Sequence, residues 1–438
     1  MSMGTVTILM FCILILLLLT GLPVAFVIGS IGVIFAFFLW GPGGLSMLIY
    51  PTYGLMLVFL LAAVPLFIFM GLIMQKSGIA DDMFDAMYHW AGGLRGGLAV
   101  GTIIVCAIFA AMVGISGAAT VTMGLIALPA MLKRGYSKIL SSGTIQAGGA
   151  LGLLIPPSVP FLVYAFVAQQ SAGMLFASGV FPGLMLAVFY MIYILIRSAL
   201  QPKIAPALPV EDRATVKEKL IALRSLILPM AVIGSVMSCI IFGITTITEA
   251  SVIGALGAMV AAVVRRRLSC QMIRESLHRT AIVTGMVMWI ALAAVCFGCI
   301  YTGLGAPQLV ESTLQGLGLG RWGILIFMQL SFFALGMFLD DTAILFLTVP
   351  LYLPIVKGLG FDPIWFGTLF VINMQMAFLT PPYGLNLFYM KGVVPKDITM
   401  ADLYRSVWPF VVIQAIGLAV VMIFPEIALW LPNTIFGR

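Results

Sequence analysis

The chain has 438 residues, of which 62% are apolar and only 8% charged, with a formal net charge of +7. Soluble domains carry about 25% charged residues. Most of this surface must therefore face something other than water, which excludes a soluble multidomain protein.

Apolar runs long enough to cross a bilayer, about 20 residues each, predict spans at 5–21, 22–40 and 51–76. The first starts almost at Met1, with no basic segment before it and no small-residue cleavage site after it, so it reads as a retained helix and not a signal peptide. An amphipathic stretch at 79–94 follows, then two short apolar arms at 99–114 and 120–132, a long apolar segment at 139–170 and a span at 174–200. A polar, charged linker at 201–219 carries Pro202, Pro206 and Pro209. Beyond it, spans are predicted at 220–243, 247–265 and 281–303, short arms at 323–338 and 343–356, a long segment at 363–392 and a last span at 403–431. Cys296 and Cys299 are spaced like a redox or metal pair. No second pair or histidine cluster accompanies them, and they read as small buried hydrophobes. His89 and His278 fall in amphipathic stretches and read as interfacial.

The two sides of the linker repeat at a constant shift of 225 residues. Ala25, Gly29 and Gly32 match Ala250, Gly254 and Gly257. Pro129 and Gly135 match Pro354 and Gly360, and Leu154, Pro156, Pro157 and Tyr164 match Leu379, Pro381, Pro382 and Tyr389. The paired short arms do not comfortably cross a core about 30 Å thick, so they predict re-entrant hairpins at 99–132 and 323–356. The fold expected is an all-α polytopic membrane protein. An N-terminal repeat (1–200) and a C-terminal repeat (220–438), each of about five spans plus one hairpin, flank a cytoplasmic linker (201–219). An odd number of spans inverts the second repeat. With both termini periplasmic, nearly every lysine and arginine falls on the cytoplasmic side, and only Arg321, Lys357 and Arg438 stay outside. Topology thus accounts for the positive charge, which gives no support to nucleic-acid binding.

Each long segment contains a double proline: Ile155-Pro156-Pro157-Ser158 in 139–170 and Thr380-Pro381-Pro382-Tyr383 in 363–392. Two consecutive prolines remove two amide donors and must break a helix. The carbonyls of Gly152 and Leu153, and of Ala377 and Phe378, are expected to lose their partners. In hydrocarbon such groups must face protein or a polar cavity, and a hard cation satisfies them. Ser158, Thr380 and Asn386 add side-chain oxygen. A single Pro-Pro reads as a structural kink; two at matched positions point to a transporter site. The tip Ser116-Gly117-Ala118-Ala119-Thr120 offers hydroxyls and helix N-termini for an anion. In the partner tip, Asp341 and Thr342 fall where Ser116 and Gly117 stand, and intramembrane carboxylates indicate function. Asp340 also reads as a helix cap, Glu249 equally as a plain N-terminal acid. Asn373 and Gln375 read either as site lining or as bonds to a neighbouring helix. No Walker A motif and no nucleophile–base constellation occurs, so the chain reads as neither ATP-driven nor an enzyme.

Gly114-Ile115-Ser116-Gly117, the Ile155–Ser158 break, Thr248-Glu249-Ala250, Phe338-Leu339-Asp340 and Thr380-Pro381-Pro382-Tyr383-Gly384-Leu385-Asn386-Leu387 resemble the large membrane subunit of tripartite ATP-independent periplasmic (TRAP) transporters. The resemblance covers essentially the whole chain. It implies sodium-driven uptake of small organic acids, such as C4-dicarboxylates or sialic acid, across the bacterial inner membrane. It implies an elevator mechanism, a periplasmic substrate-binding protein and a small four-helix membrane subunit as partners, and here an unfused large subunit. Carried onto these residues, one sodium site uses Ser116 with Gly152, Ile155 and Pro156, and the other uses Asp341 with Ala377 and Thr380. Substrate falls to Ser116, Gly117, Thr120, Ser158, Asp341, Thr342 and Asn386. The chain departs from the resemblance at Ala377, where the family usually has glycine, and at Ala118, where it often has serine or glycine. A stand-alone sodium/dicarboxylate symporter or exchanger is the alternative.

Overall fold

The computed structural model describes residues 3–91, 93–207, 214–316 and 318–437. Apart from three short 3-10 turns, the regular structure there is α-helical: α1 (Met3–Leu19), α2 (Val24–Met56), α3 (Ala63–Lys76), α4 (Ile79–Ala91), α5 (Gly97–Val113), α6 (Ser116–Lys133), α7 (Lys138–Ala150), α8 (Val159–Ala168) and α9 (Ala172–Leu200) before the linker. After it come α10 (Val216–Ala222), α11 (Arg224–Ile241), α12 (Ile247–Val264), α13 (Cys270–Gly303), α14 (Ala306–Gly316), α15 (Arg321–Gly336), α16 (Asp341–Gly358), α17 (Pro363–Leu379), α18 (Leu385–Lys391), α19 (Met400–Ile423) and α20 (Glu426–Phe436). Among the described residues, nine helical stretches are long and apolar enough to cross a membrane.

Four boundaries differ from the hydropathy reading. The predicted span 51–76 is two pieces: the far arm of α2, and α3 behind a 3-10 turn at Phe59–Ala62. That arm begins at Gly41, whose φ of 63° only glycine adopts readily, and it makes 42–50 helical where no element was predicted. The linker is shorter than 201–219. Thr215 and Glu218 form a reciprocal capping box that starts α10 inside it, and residues 208–213, including Pro209, lie outside the described residues. α13 begins eleven residues earlier than predicted, capped by the Ser269 hydroxyl on the Met272 amide, so its first turns are polar and escape a hydropathy window. The predicted span 403–431 divides at Phe424 and Pro425, where proline cannot continue α19.

The 225-residue shift reappears in the elements. α6 and α16 start and end 225 residues apart, as do the starts of α7 and α17. Gly135 and Gly360, just past the ends of α6 and α16, are both left-handed, at φ 79° and 76°. Both double prolines interrupt their segments. The chain leaves α7 through a 3-10 turn at Leu151–Leu153 and resumes as α8, and α17 gives way to α18. Each Pro-Pro bond is cis.

α13 packs along α2 and α3, and α12 lies against α3 and α11. The hairpin arms pair as α5 with α6 and α15 with α16. The halves then interlock. α16 packs on α8 and α6 packs on α18, so each hairpin's second arm holds the short half-helix of the other repeat. The three ion pairs among the described residues, Lys76–Glu275, Arg265–Asp82 and Lys138–Asp402, each join segments that the predicted topology puts on one side.

Candidate functional site

Both hairpin tips end against the two breaks. A cavity of about 110 Å³ lies where they meet. Its walls include Ser116 and Gly117 of α6, Val159 and Pro160 of α8, Asp340 to Thr342 at α16, and Phe378, Leu385 and Tyr389 around the second break. Val283, Met286 and Val287 of α13 close one side.

Four helices, α6, α8, α16 and α18, begin at or beside residues that line this space, and they are not alike. α6 begins at Ser116 after Ile115, and α8 begins at Val159 after Ser158; neither has a side-chain cap. No side chain caps the first amides of α6. In α8 Pro160 has no amide hydrogen, so only the Val159 and Phe161 amides remain as donors, and at both ends the helix dipole adds partial positive charge. α16 is instead closed by its own carboxylates. Asp340 accepts from the Ala343 amide at 2.7 Å, and Asp341 accepts from the Thr342 amide at 2.8 Å. One tip therefore presents bare donors suited to an anion, and the other presents carboxylate oxygens suited to a cation. Ser116, Gly117 and Thr120 belong to the first turns of α6, not to a loop, because only Gly114 and Ile115 are needed to reverse the chain.

Of the sequence-predicted site residues, Ser116, Gly117, Asp341 and Thr342 line the cavity. Asn386 does not; it is fully buried behind the tip, accepting from the Ser116 hydroxyl at 2.7 Å and donating to the Gln146 carbonyl at 3.4 Å. Ser158 is also off the wall. Its hydroxyl donates to the Leu153 carbonyl at 2.5 Å, so a carbonyl expected to be orphaned by the prolines is satisfied locally. The Ala377 carbonyl likewise accepts from the Thr380 amide at 3.0 Å. Thr120 points at α7, where a side-chain carbon on Gly149 would collide with its hydroxyl. The Gly152 backbone lies beside Ile115 and Ser116 at the first tip, whereas the Ile155 side chain points at Gly183 of α9. Pro156 is buried at the first break, and the Ala377 methyl faces Gly336 at the end of α15. The Thr380 hydroxyl donates to the Met376 carbonyl at 2.7 Å.

Of the residues left open by the sequence, Asp340, Glu249 and Asn373 have structural partners, whereas neither side-chain polar atom of the buried Gln375 finds one among the described residues. Asp340 is a helix cap, and Glu249 is the acid of a capping box with Thr246. Asn373 donates to the Gln329 carbonyl and side chain on α15, a bond between helices. Cys296 and Cys299 are free thiols, and no cluster of metal-binding side chains occurs among the described residues.

Sequence reasoning missed three parts of the site. The Tyr389 ring lies over Gly117, about 2.5 Å from where a β-carbon would stand; its repeat match to Tyr164 was the available signal. Gln146 bridges Asn386 to Ser406 of α19, donating to the Ser406 hydroxyl at 3.2 Å. The α13 wall is apolar and carries no chemical signature.

The family comparison converges with this geometry. The model of the tripartite ATP-independent periplasmic transporter, DctM component, matches residues 11–427. The chain is 33% identical to the C4-dicarboxylate TRAP transporter large permease protein DctM of Pseudomonas aeruginosa, over 85% of this chain and 86% of that one. It is 30% identical to the sialic acid TRAP transporter large permease protein SiaM of Vibrio cholerae, over 96% and 97%. It is 32% identical to the isethionate TRAP transporter permease protein DctMQ of Oleidesulfovibrio alaskensis, covering 85% of this chain but 58% of that one. Among solved structures, the YdaH transporter of Alcanivorax borkumensis superposes with a TM-score of 0.64 at 14% identity, over 97% of this chain and 98% of that one, a likeness of fold alone. With paired hairpins, paired breaks and a family match over nearly its whole length, the chain belongs to the DctM family, the large permease components of TRAP transporters.

Proposed function

We propose that this permease carries small organic anions into the cell, coupled to sodium, and that the anion and the cations meet in the cavity between the two hairpin tips. The observation that supports this is the unlike pair of tips: uncapped helix N-termini at Ser116 and Val159, and self-capped carboxylates at Asp340 and Asp341. A substrate carboxylate takes its hydrogen bonds from the first amides of α6 at Ser116 and Gly117 and from the Val159 amide of α8, Pro160 having none to give. Sodium, a hard ion, takes oxygen ligands, and the residues near each break supply only oxygen: the Gly152 backbone beside the Ser116 tip, and Asp341 with Thr380 at the other. Bound sodium lowers the cost of holding an anion in a low-dielectric site, so the two bind better together than either does alone. That thermodynamic linkage is the coupling.

The cavity is small beside the roughly 300–1,000 Å³ of drug-sized pockets, which favours a compact acid such as a C4-dicarboxylate. The P. aeruginosa relative is named for that substrate class. In the elevator reading, α5–α8 and α15–α18 carry the cavity along the uncharged α13 face formed by Val283, Met286 and Val287. A periplasmic binding protein delivers the substrate at the inner membrane, with both termini periplasmic, and a small four-helix subunit completes the permease. The O. alaskensis relative, which runs well beyond the region matched here and is named DctMQ, supports the last point.

The test is uptake into proteoliposomes holding this permease and its small subunit, with the binding protein added outside. Accumulation driven by an imposed inward sodium gradient and dependent on the binding protein is expected. Accumulation unaffected by collapsing that gradient would overturn the coupling. Accumulation without the binding protein would favour the stand-alone symporter.

A further inference from the structure

A second cavity, of about 680 Å³, lies away from the transport site, where α4 meets α10, α11 and the end of α12. Its lining has three chemically distinct parts. Asp82, Asp85 and Glu218 bring carboxylates, and Arg224 and Arg265 bring guanidiniums. Ile221, Ile227 and Val264 bring an apolar flank. Arg265 is committed to an ion pair with Asp82. Glu218 spends one carboxylate oxygen, Oε2, on the amide and hydroxyl of Thr215 at 2.7 and 2.9 Å, leaving Oε1 free to accept. Among the described residues neither Asp85 nor Arg224 has an ion-pair partner. What remains in the cleft is two uncommitted carboxylates, Asp85 and Glu218, one uncommitted guanidinium, Arg224, and the His89 imidazole, which also lines it beside Glu218.

The apolar flank faces outward. Ile221, Ile227 and Val264 are 50%, 65% and 63% exposed, continuous with a face of α11 that stays exposed at Met230. In a helix of this hydropathy such a face meets lipid acyl chains. The cleft thus opens from charged groups directly onto the hydrocarbon side. A ligand matching all three parts carries an ammonium, a phosphate a few bonds away and long apolar chains.

We propose that this cleft binds one phospholipid with a primary-amine headgroup. Its ammonium sits between Asp85 and Glu218, its phosphate meets Arg224, and its chains run over Ile227 and Val264. An anionic lipid without an amine gains Arg224 and the His89 ring N–H but leaves the two carboxylates unpaired and is repelled by them. Two of the cleft's elements already touch, the Trp90 indole of α4 donating to the Lys219 carbonyl of α10 at 2.7 Å. The lipid therefore sits where the first repeat meets the entry to the second. It depends on neither the transport reading nor the orientation of the termini.

Native mass spectrometry of the delipidated full chain tests this, with phosphatidylethanolamine and phosphatidylglycerol of identical chains added in equal amounts. The wild type is expected to retain a single phosphatidylethanolamine over phosphatidylglycerol by about fivefold. Asp85→Asn is expected to erase that preference, whereas Arg224→Gln weakens both adducts. Equal adducts in the wild type, or an unchanged preference in Asp85→Asn, would overturn the assignment. Soluble glycerophosphoethanolamine is expected not to displace the lipid; displacement at matched concentration would point to a soluble amine instead. Thermal melting of each variant separates a lost site from a lost fold.

Discussion

A hydroxyl that ligates a cation must send its proton elsewhere, because the cation needs the oxygen lone pairs. Thr380 and Ser116 both do so, to the Met376 carbonyl and to the Asn386 side chain, each at 2.7 Å. Thr380→Val keeps the shape and removes the oxygen. It is expected to raise the sodium concentration for half-maximal uptake about tenfold, the worth of one such contact. An unchanged sodium dependence would remove Thr380 from the ligand set. At the other tip the limit is space. A β-carbon on Gly117 would stand 2.5 Å from the Tyr389 ring, and forced overpacking costs about 1–3 kcal/mol. Gly117→Ala is expected to lower uptake at a normal membrane level, and Tyr389→Ala in that background to restore part of it. No recovery in the double variant would show that glycine is needed for something other than the ring. Ser116 and Asp341, which line the cavity, were legible in the sequence because each sits at the tip of a predicted hairpin. Tyr389 and Gln146 were not, because what makes them matter is a neighbour more than two hundred residues away.

Among elements, the decisive contact is the close approach of α7 to α5 and α6. Gly148 lies against Cys106 and Gly149 against Thr120; on Gly149 a β-carbon would also come within 2.9 Å of the Thr120 amide nitrogen. Backbone cannot yield as a flexible side chain does, so Gly149→Ala is expected to cost about 1–3 kcal/mol and lower the melting temperature measurably. Gly358→Ala meets nothing within 4 Å and serves as the control. A melting point equal to the control's would mean that the α6–α7 packing relaxes freely. Helix breaks were readable where proline or glycine enforces them locally. The early start of α13 was not, since a capped polar turn looks like a loop to a hydropathy window. The pairing of α16 with α8 and of α6 with α18 joins segments from opposite repeats, and no local pattern encodes which half-helix a hairpin grips.

For the whole molecule, the proposed inversion of the second repeat makes a direct prediction. Gly135 and Gly360 occupy matched positions but are left-handed, so a cysteine there would be strained. Exposed Lys133 and Lys357 at the ends of α6 and α16 are better reporters. In a chain whose six native cysteines are replaced, Lys133→Cys and Lys357→Cys are expected to react with an impermeant thiol reagent from opposite faces of the membrane. Labelling from one face would end the inverted-repeat reading. The sequence by itself determined the membrane class, the 225-residue period and the two broken segments, because hydrophobicity, proline and glycine act on the chain within a few residues. Only the tertiary structure decided that the two tips meet in one cavity and differ in polarity, that Asn386 and Ser158 serve as props behind it, and that α13 supplies its apolar wall. Those features are contacts between distant segments, and their chemistry exists only once packing has brought the groups within hydrogen-bonding or van der Waals reach.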